Sequence, residues 1–136
     1  MIHGFDDTDK TKVEVYPTSE VYTKDEVYSK SERIIFQVTL DNTVPANDRV
    51  GIDRKPADIF MVAGLDPSKY NIDDFSLIAM EYRFSTSEHW LQEQNDMTNS
   101  TVYFSWHGDY MFFALKNNTS ESKRIIGRFT WMRTKP

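Results

Sequence analysis

The sequence predicts an all-β protein, an antiparallel two-sheet β-sandwich of immunoglobulin-like type with seven to eight strands. Three observations carry this. Apolar and polar residues alternate through several short runs, the period of two expected of a strand with one buried face. Clusters of Asn, Asp, Gly and Pro separate the runs and make turns by pre-set φ, tolerance of the left-handed region or local side-chain hydrogen bonds. A helical period is almost nowhere sustained.

Residues 1–11, with Asp6, Asp7 and Asp9, read as a flexible N-terminal tail, and residues 12–136 as a single sandwich domain. Glu-Val-Tyr recurs at 14–16, 20–22 and 26–28, a period of six. An even period keeps the valines on one strand face and the tyrosines on the other, but Pro17 removes a ladder donor. The expected outcome is an edge strand over Lys12–Tyr16, then short extended pieces around Val21 and Val27.

The stretch Arg33–Ile52 organises the rest. Ile34, Phe36, Val38 and Leu40 alternate with Ile35, Gln37 and Thr39 and predict a central strand. Asp41, Asn42, Pro45, Ala46, Asn47 and Asp48 make a turn, and Val50-Gly51-Ile52 opens the next strand. Asp53, Arg54, Lys55 and Pro56 read as a charged turn, Ile59–Val62 as a short apolar strand ended by Gly64, Asp66 and Pro67, and residues 65–75 as a polar loop. In Ser76–Phe84, Ile78, Met80, Tyr82 and Phe84 form the expected core face. Ser85–Ser100 is a long connection in which Ser87 is placed to cap one helical turn before Glu88, His89 and Trp90.

The C-terminal third reads as a hairpin. Val102, Phe104 and Trp106 alternate up to Gly108-Asp109, and Met111, Phe113 and Leu115 alternate beyond it. After a polar loop over Asn117–Ser122, Ile125, Gly127, Phe129 and Trp131 mark a last strand. Trp106 and Trp131 sit on the apolar phase and are expected in the core.

Length and composition bound the function. A chain of 136 residues suits one domain, which would bury roughly two thirds of its unfolded surface. There is no cysteine, so disulfides, thiolate metal sites and cysteine nucleophiles are excluded. A net charge of −5 disfavours a phosphate-backbone partner, so nucleic acid is not expected. No apolar run reaches about 18 residues and the N-terminus lacks an apolar signal core, so the chain reads as soluble and cytoplasmic. Asn99-Ser100-Thr101, Asn117-Asn118-Thr119 and Asn118-Thr119-Ser120 fit the glycan-acceptor pattern, which also recurs by chance in Asn- and Thr-rich loops.

Catalytic sets are thin. His3, His89 and His107 are the histidines, and His107 beside Asp109, with His89 and Glu88, is the one conceivable constellation; no spacing of the metalloprotease kind supports it. Asp41, Asp48, Asp66 and Asp74 could converge on calcium at one end of a sandwich, but the regular calcium-loop pattern is absent. No catalytic residue, metal ligand or cofactor is therefore assigned.

Aromatic residues are the stronger lead. Tyr103, Tyr110 and Phe112 fall on the phase opposite the core and would form a flat exposed strip, and Trp90 lies in a polar connection. Arg49, Arg54 and Lys55 would join Lys123, Arg124, Arg128, Arg133 and Lys135 in a positive patch if the last strand lay beside the strand at Val50. The expected partner-binding residues are thus Tyr103, Tyr110, Phe112, Trp90, Arg49 and Arg54.

VTLDNTVPANDRVGI, followed about fifty residues later by TVYFSWHGDYMFFALKNNTSESKRIIGRFTW, resembles the SKICH domain, an immunoglobulin-like sandwich of inositol-polyphosphate phosphatases and autophagy adaptors. The matching residues are Thr39, Leu40, Pro45, Asp48, Val50, Gly51 and Ile52, then Tyr110, Phe112, Gly127 and Phe129. Arg49 stands where that family has tryptophan, the stretch from Leu65 to Ser100 is longer, and the match covers about half the chain. The resemblance implies a non-enzymatic module that recruits or localises through protein–protein contacts. A carbohydrate-binding module or lectin using exposed aromatics is the alternative, and a membrane surface a lesser one.

Overall fold

The computed structural model describes residues 10–17 and 34–135. Within them lie eight strands: β1 Lys12–Pro17, β2 Ile34–Val44, β3 Arg49–Arg54, β4 Phe75–Phe84, β5 Leu91–Gln92, β6 Val102–His107, β7 Tyr110–Lys116 and β8 Lys123–Arg133. All pair antiparallel, in a five-stranded sheet of order β1-β2-β8-β4-β5 and a three-stranded sheet of order β3-β7-β6. This is the expected all-β two-sheet sandwich. β8, the last of these strands in sequence, enters the middle of the larger sheet between β2 and β4. Of the expected tail only Lys10 and Thr11 are described, and the Val21 and Val27 repeats and His3 lie outside the described residues.

The alternation in β2 does what it predicts: Phe36, Val38 and Leu40 are fully buried between the layers. The turn that follows uses Asn47 at φ 53°, a left-handed conformation that Asn tolerates better than most residues, and Asp48 N donates to Pro45 O at 3.2 Å. The turn carries the chain from one sheet to the other, so β2 and β3 are not partners but opposite layers. Gly127 of β8 lets the layers approach: a Cβ there would lie 2.6 Å from Leu115 Cδ2 and 2.7 Å from Val102 Cγ1. The aromatic centre of the core is Phe36, which stacks with Trp131 at 6.2 Å and meets Phe60 edge-on at 5.9 Å.

Both open sides are closed by the connections. After β3, the helix α1 (Pro56–Val62) leans on β1 and buries Ile59 and Phe60. On the far side Glu93 N donates to Met80 O at 2.9 Å. Asn95 then lines up along β6, giving a hydrogen bond to Phe104 O at 2.8 Å and taking one from Phe104 N at 2.9 Å. One side chain thereby satisfies a main-chain pair that would otherwise need a strand neighbour.

Three local expectations change. Ile59–Val62 is helical rather than extended, because Pro56 sits at the first helical position and Asp58 in the first turn, and the buried residues are adjacent Ile59 and Phe60 rather than alternate ones. In β4 a bulge between Leu77 and Ala79 shifts the phase and leaves Ile78 48% exposed. Residues 85–100 contain no helix; the Ser87 hydroxyl accepts from His89 N at 3.2 Å as a local turn, and β5 follows.

Candidate functional site

The outward face of the three-stranded sheet gathers most of the expected site residues. Its register places Arg49 opposite Lys116, Gly51 opposite Ala114 and Asp53 opposite Phe112, with Tyr103 beyond Ala114 and Ser105 beyond Phe112. Gly51 and Ala114 leave room that the aromatics fill. A Cβ on Gly51 would lie 2.4 Å from Phe112 Cζ, so the Phe112 ring lies across β3 in the notch that the glycine leaves. The His107 ring stacks on the same phenyl at 4.1 Å and 15°, and Tyr103 flanks it at 6.0 Å.

This packing corrects the exposed strip. Tyr103 is 0% and Phe112 1% exposed, and with Ala114 they form a second small core outside the sandwich. Strand phase alone put them at the surface; the missing side chain of Gly51 and the short one of Ala114 bury them. Tyr110, at the hairpin turn, does stay 41% exposed.

Polar groups rim this second core. Arg49 Nη1 donates to the Tyr103 hydroxyl at 2.6 Å, and His107 Nδ1 lies 3.0 Å from Asp53 Oδ1. His107 therefore partners Asp53 across the sheet, not Asp109, His89 or Glu88. Among the described residues no group of three or more His, Asp or Glu is placed to hold a metal ion.

At the end of this face stands the β6–β7 turn, where Gly108 adopts φ 61°. Trp106 is 46% exposed, which overturns its expected core position: it lies one cross-strand pair before the turn, at the end of the hairpin. The ring is held edge-on by Phe104 at 5.5 Å and 85°. On the opposite phase of the same hairpin the Tyr110 ring lies 5.6 Å from Lys55 Nζ. The tip thus carries one large aromatic on each side of its turn.

No known family, curated protein or solved structure matches this chain.

Trp90 lies elsewhere, over the outer face of the five-stranded sheet, with the Arg128 guanidinium 3.9 Å and that of Arg83 5.4 Å from its ring centre. Arg128 occupies a ring face that a sugar would need. Arg54 donates to the carbonyl of Asp53 at 3.0 Å and lines a groove with Val13, Ile59, Met61 and Val62. The condition for a positive patch is not met, because β8 and β3 belong to different sheets. Arg124 instead forks onto Asp41 at 2.8 and 2.6 Å, and Arg128 pairs with Glu81 at 3.0 Å.

Three of the four carboxylates considered for calcium, Asp41, Asp48 and Asp66, are engaged locally. The hydrogen bonds from Arg124 hold the Asp41 carboxyl below its usual range, and those from Ser68 do the same for Asp66. Asp48 Oδ1 accepts from Arg49 N at 2.7 Å. Of the three glycan-acceptor patterns, the one at Asn117 is closed: that side chain is buried and bonded to Val44 O, Glu121 O and Thr119.

Sequence reasoning missed Trp106 as a surface group, the contact between Lys55 and Tyr110, and the His107–Asp53 pairing. The nearness of Trp106 to Gly108 was the available signal, since a hairpin tip extends past the layer that would cover it.

Proposed function

We propose that the chain is a non-enzymatic interaction module that recruits or localises through protein–protein contacts, and that the β6–β7 tip makes the contact. The observation that carries this reading is the exposure of Trp106 and Tyr110 on either side of one tight turn. Trp and Tyr supply the large anchoring areas of protein interfaces. Here the Phe104 and Lys55 contacts hold both rings before any partner arrives, which reduces the ordering entropy of association. A convex tip fits a partner with a concave apolar cleft.

The SKICH-like residues support the same kind of role, with Arg49 in place of the family's tryptophan. A cytoplasmic location belongs to this proposal; among the described residues no helix is long and apolar enough to cross a membrane.

The test is affinity capture with the full chain as bait, read by quantitative mass spectrometry, comparing wild type with Trp106→Ala, Tyr110→Ala and the control Trp90→Ala. A partner lost with the two tip variants and kept with the control supports the reading. Unchanged recovery with both tip variants overturns it. Glycan-array binding that depends on Trp106 would replace the protein partner with a carbohydrate.

A further inference from the structure

We infer that Arg49 is an anchoring site for a carboxylate, the Asp or Glu side chain of a protein partner laid on the outward face of the three-stranded sheet. This rests on the interpretation of the chain as a protein-contact module, but it concerns the end of the face away from the hairpin tip.

The charge of Arg49 is positioned without being neutralised. Its guanidinium donates to the Tyr103 hydroxyl at 2.6 Å, and that tyrosine is fully buried beside Phe112 and Ala114. The phenol is a neutral acceptor, so it fixes the side chain and leaves the positive charge in place. The neighbouring carboxylate is turned elsewhere, since Asp48 Oδ1 accepts from the main-chain N–H of Arg49. Lys12, Lys123, Arg124 and Arg128 each lie within ion-pair distance of a carboxylate. Arg49 has no such partner among the described residues.

The strand opposite sharpens the contrast. Lys116 faces Arg49 directly in register, and like charges opposite one another destabilise a sheet. The Lys116 ammonium is drawn off to Thr98 O at 2.6 Å. Arg49 is half-buried and left without a carboxylate among the described residues, and such a cation is stabilised by an incoming anion. The guanidinium nitrogens Nε and Nη2 bond to nothing else among the described residues, and such a fork matches the two oxygens of a carboxylate. The net charge of −5 and the nearby Asp48 and Asp53 oppose an extended polyanion more than one carboxylate, which favours a protein side chain over a nucleic acid or lipid surface.

The experiment is a nuclear magnetic resonance titration of the full chain with a blocked Ala-Glu-Ala peptide, and separately with inorganic phosphate and anionic vesicles, following Arg49 Nε–H and the amides of Tyr103 and Ala114. Saturable shifts at these positions are expected, weakened about tenfold to a hundredfold by Arg49→Gln, as for loss of a charge-assisted pair, and unchanged by Lys69→Gln at an exposed position outside both faces. No shift at millimolar peptide, or equal affinity in Arg49→Gln, overturns the site. Tighter binding of phosphate or vesicles than of peptide overturns the carboxylate assignment. If Arg49→Gln does not fold, Arg49→Lys carries the test: it keeps the charge and loses the fork, and undiminished affinity refutes the proposal. Arg49 lies ~17 Å along β3 from the tip end at ~3.3 Å per residue, so failure here leaves the role of Trp106 to be judged by its own capture experiment.

Discussion

Replacing Gly51 with alanine tests whether the second core depends on an absent side chain. In an ordinary strand the change stabilises by roughly 0.5–1 kcal/mol, because glycine loses more backbone freedom on folding. Gly51 has no positive φ that would forbid alanine. The new Cβ, however, would lie 2.4 and 2.5 Å from two carbons of the Phe112 ring and 3.1 Å from Phe113 O. The ring cannot simply lift, since His107 stacks on it and Tyr103 flanks it. Overpacking of this kind costs typically 1–3 kcal/mol, which outweighs the backbone gain and gives a net loss of about 1–2 kcal/mol. Urea unfolding at unchanged slope should place the midpoint about 0.5–1 M lower for a slope near 2 kcal/mol/M. In a Phe112→Ala background the same substitution should turn stabilising by roughly 0.5–1 kcal/mol, a coupling of about 2 kcal/mol across the cycle. A Gly51→Ala variant as stable as wild type would show that the ring is not seated in the glycine notch.

Asn117→Ala should lower stability by about 2–4 kcal/mol in the same assay, because it leaves the buried Val44 carbonyl and the turn over Thr119–Glu121 without their partner. Trp131→Ala should cost about 3–5 kcal/mol, as large-to-small core changes do, whereas Trp106→Ala should cost under about 1 kcal/mol; equal losses would contradict their different burial. The Asp41–Arg124 pair makes a prediction in pH. Asp41 has a depressed carboxyl in the folded state, so its contribution is present above the unfolded carboxylate range near about 3.9 and lost as pH falls through the folded value. Wild type and Arg124→Ala should therefore differ in stability at neutral pH and converge in acid; a gap that persists in strong acid would mean the arginine acts through packing.

The layered fold was legible because period-two alternation in β2, β6, β7 and β8 is a direct consequence of one-sided burial. Where a residue was inserted, as at Ile78, the period broke and the phase was misassigned. The helix at Pro56–Val62 was hidden by its brevity: four apolar letters look alike in a strand and in one helical turn, and only Pro56 with Asp58 distinguishes them. Tyr103 and Phe112 were placed on the right face but at the wrong depth. Their burial depends on Gly51 and Ala114 on the adjoining strands, which is a matter of register rather than of local pattern. Arg49 and Tyr103 were both candidates, yet nothing in their spacing announced that they would share a hydrogen bond.

The placement of β8 governs how the molecule is made. Gln37 and Thr130 touch across β2 and β8 although they are 93 positions apart, and β8 is also the neighbour that joins β4 to β2. Until that strand leaves the ribosome, the larger sheet exists only as two ribbons with raw inner edges, a condition that favours slow assembly and aggregation. Nascent chains stalled before Lys123 should thus be caught by chaperones and proteases, while those released after Arg133 escape them.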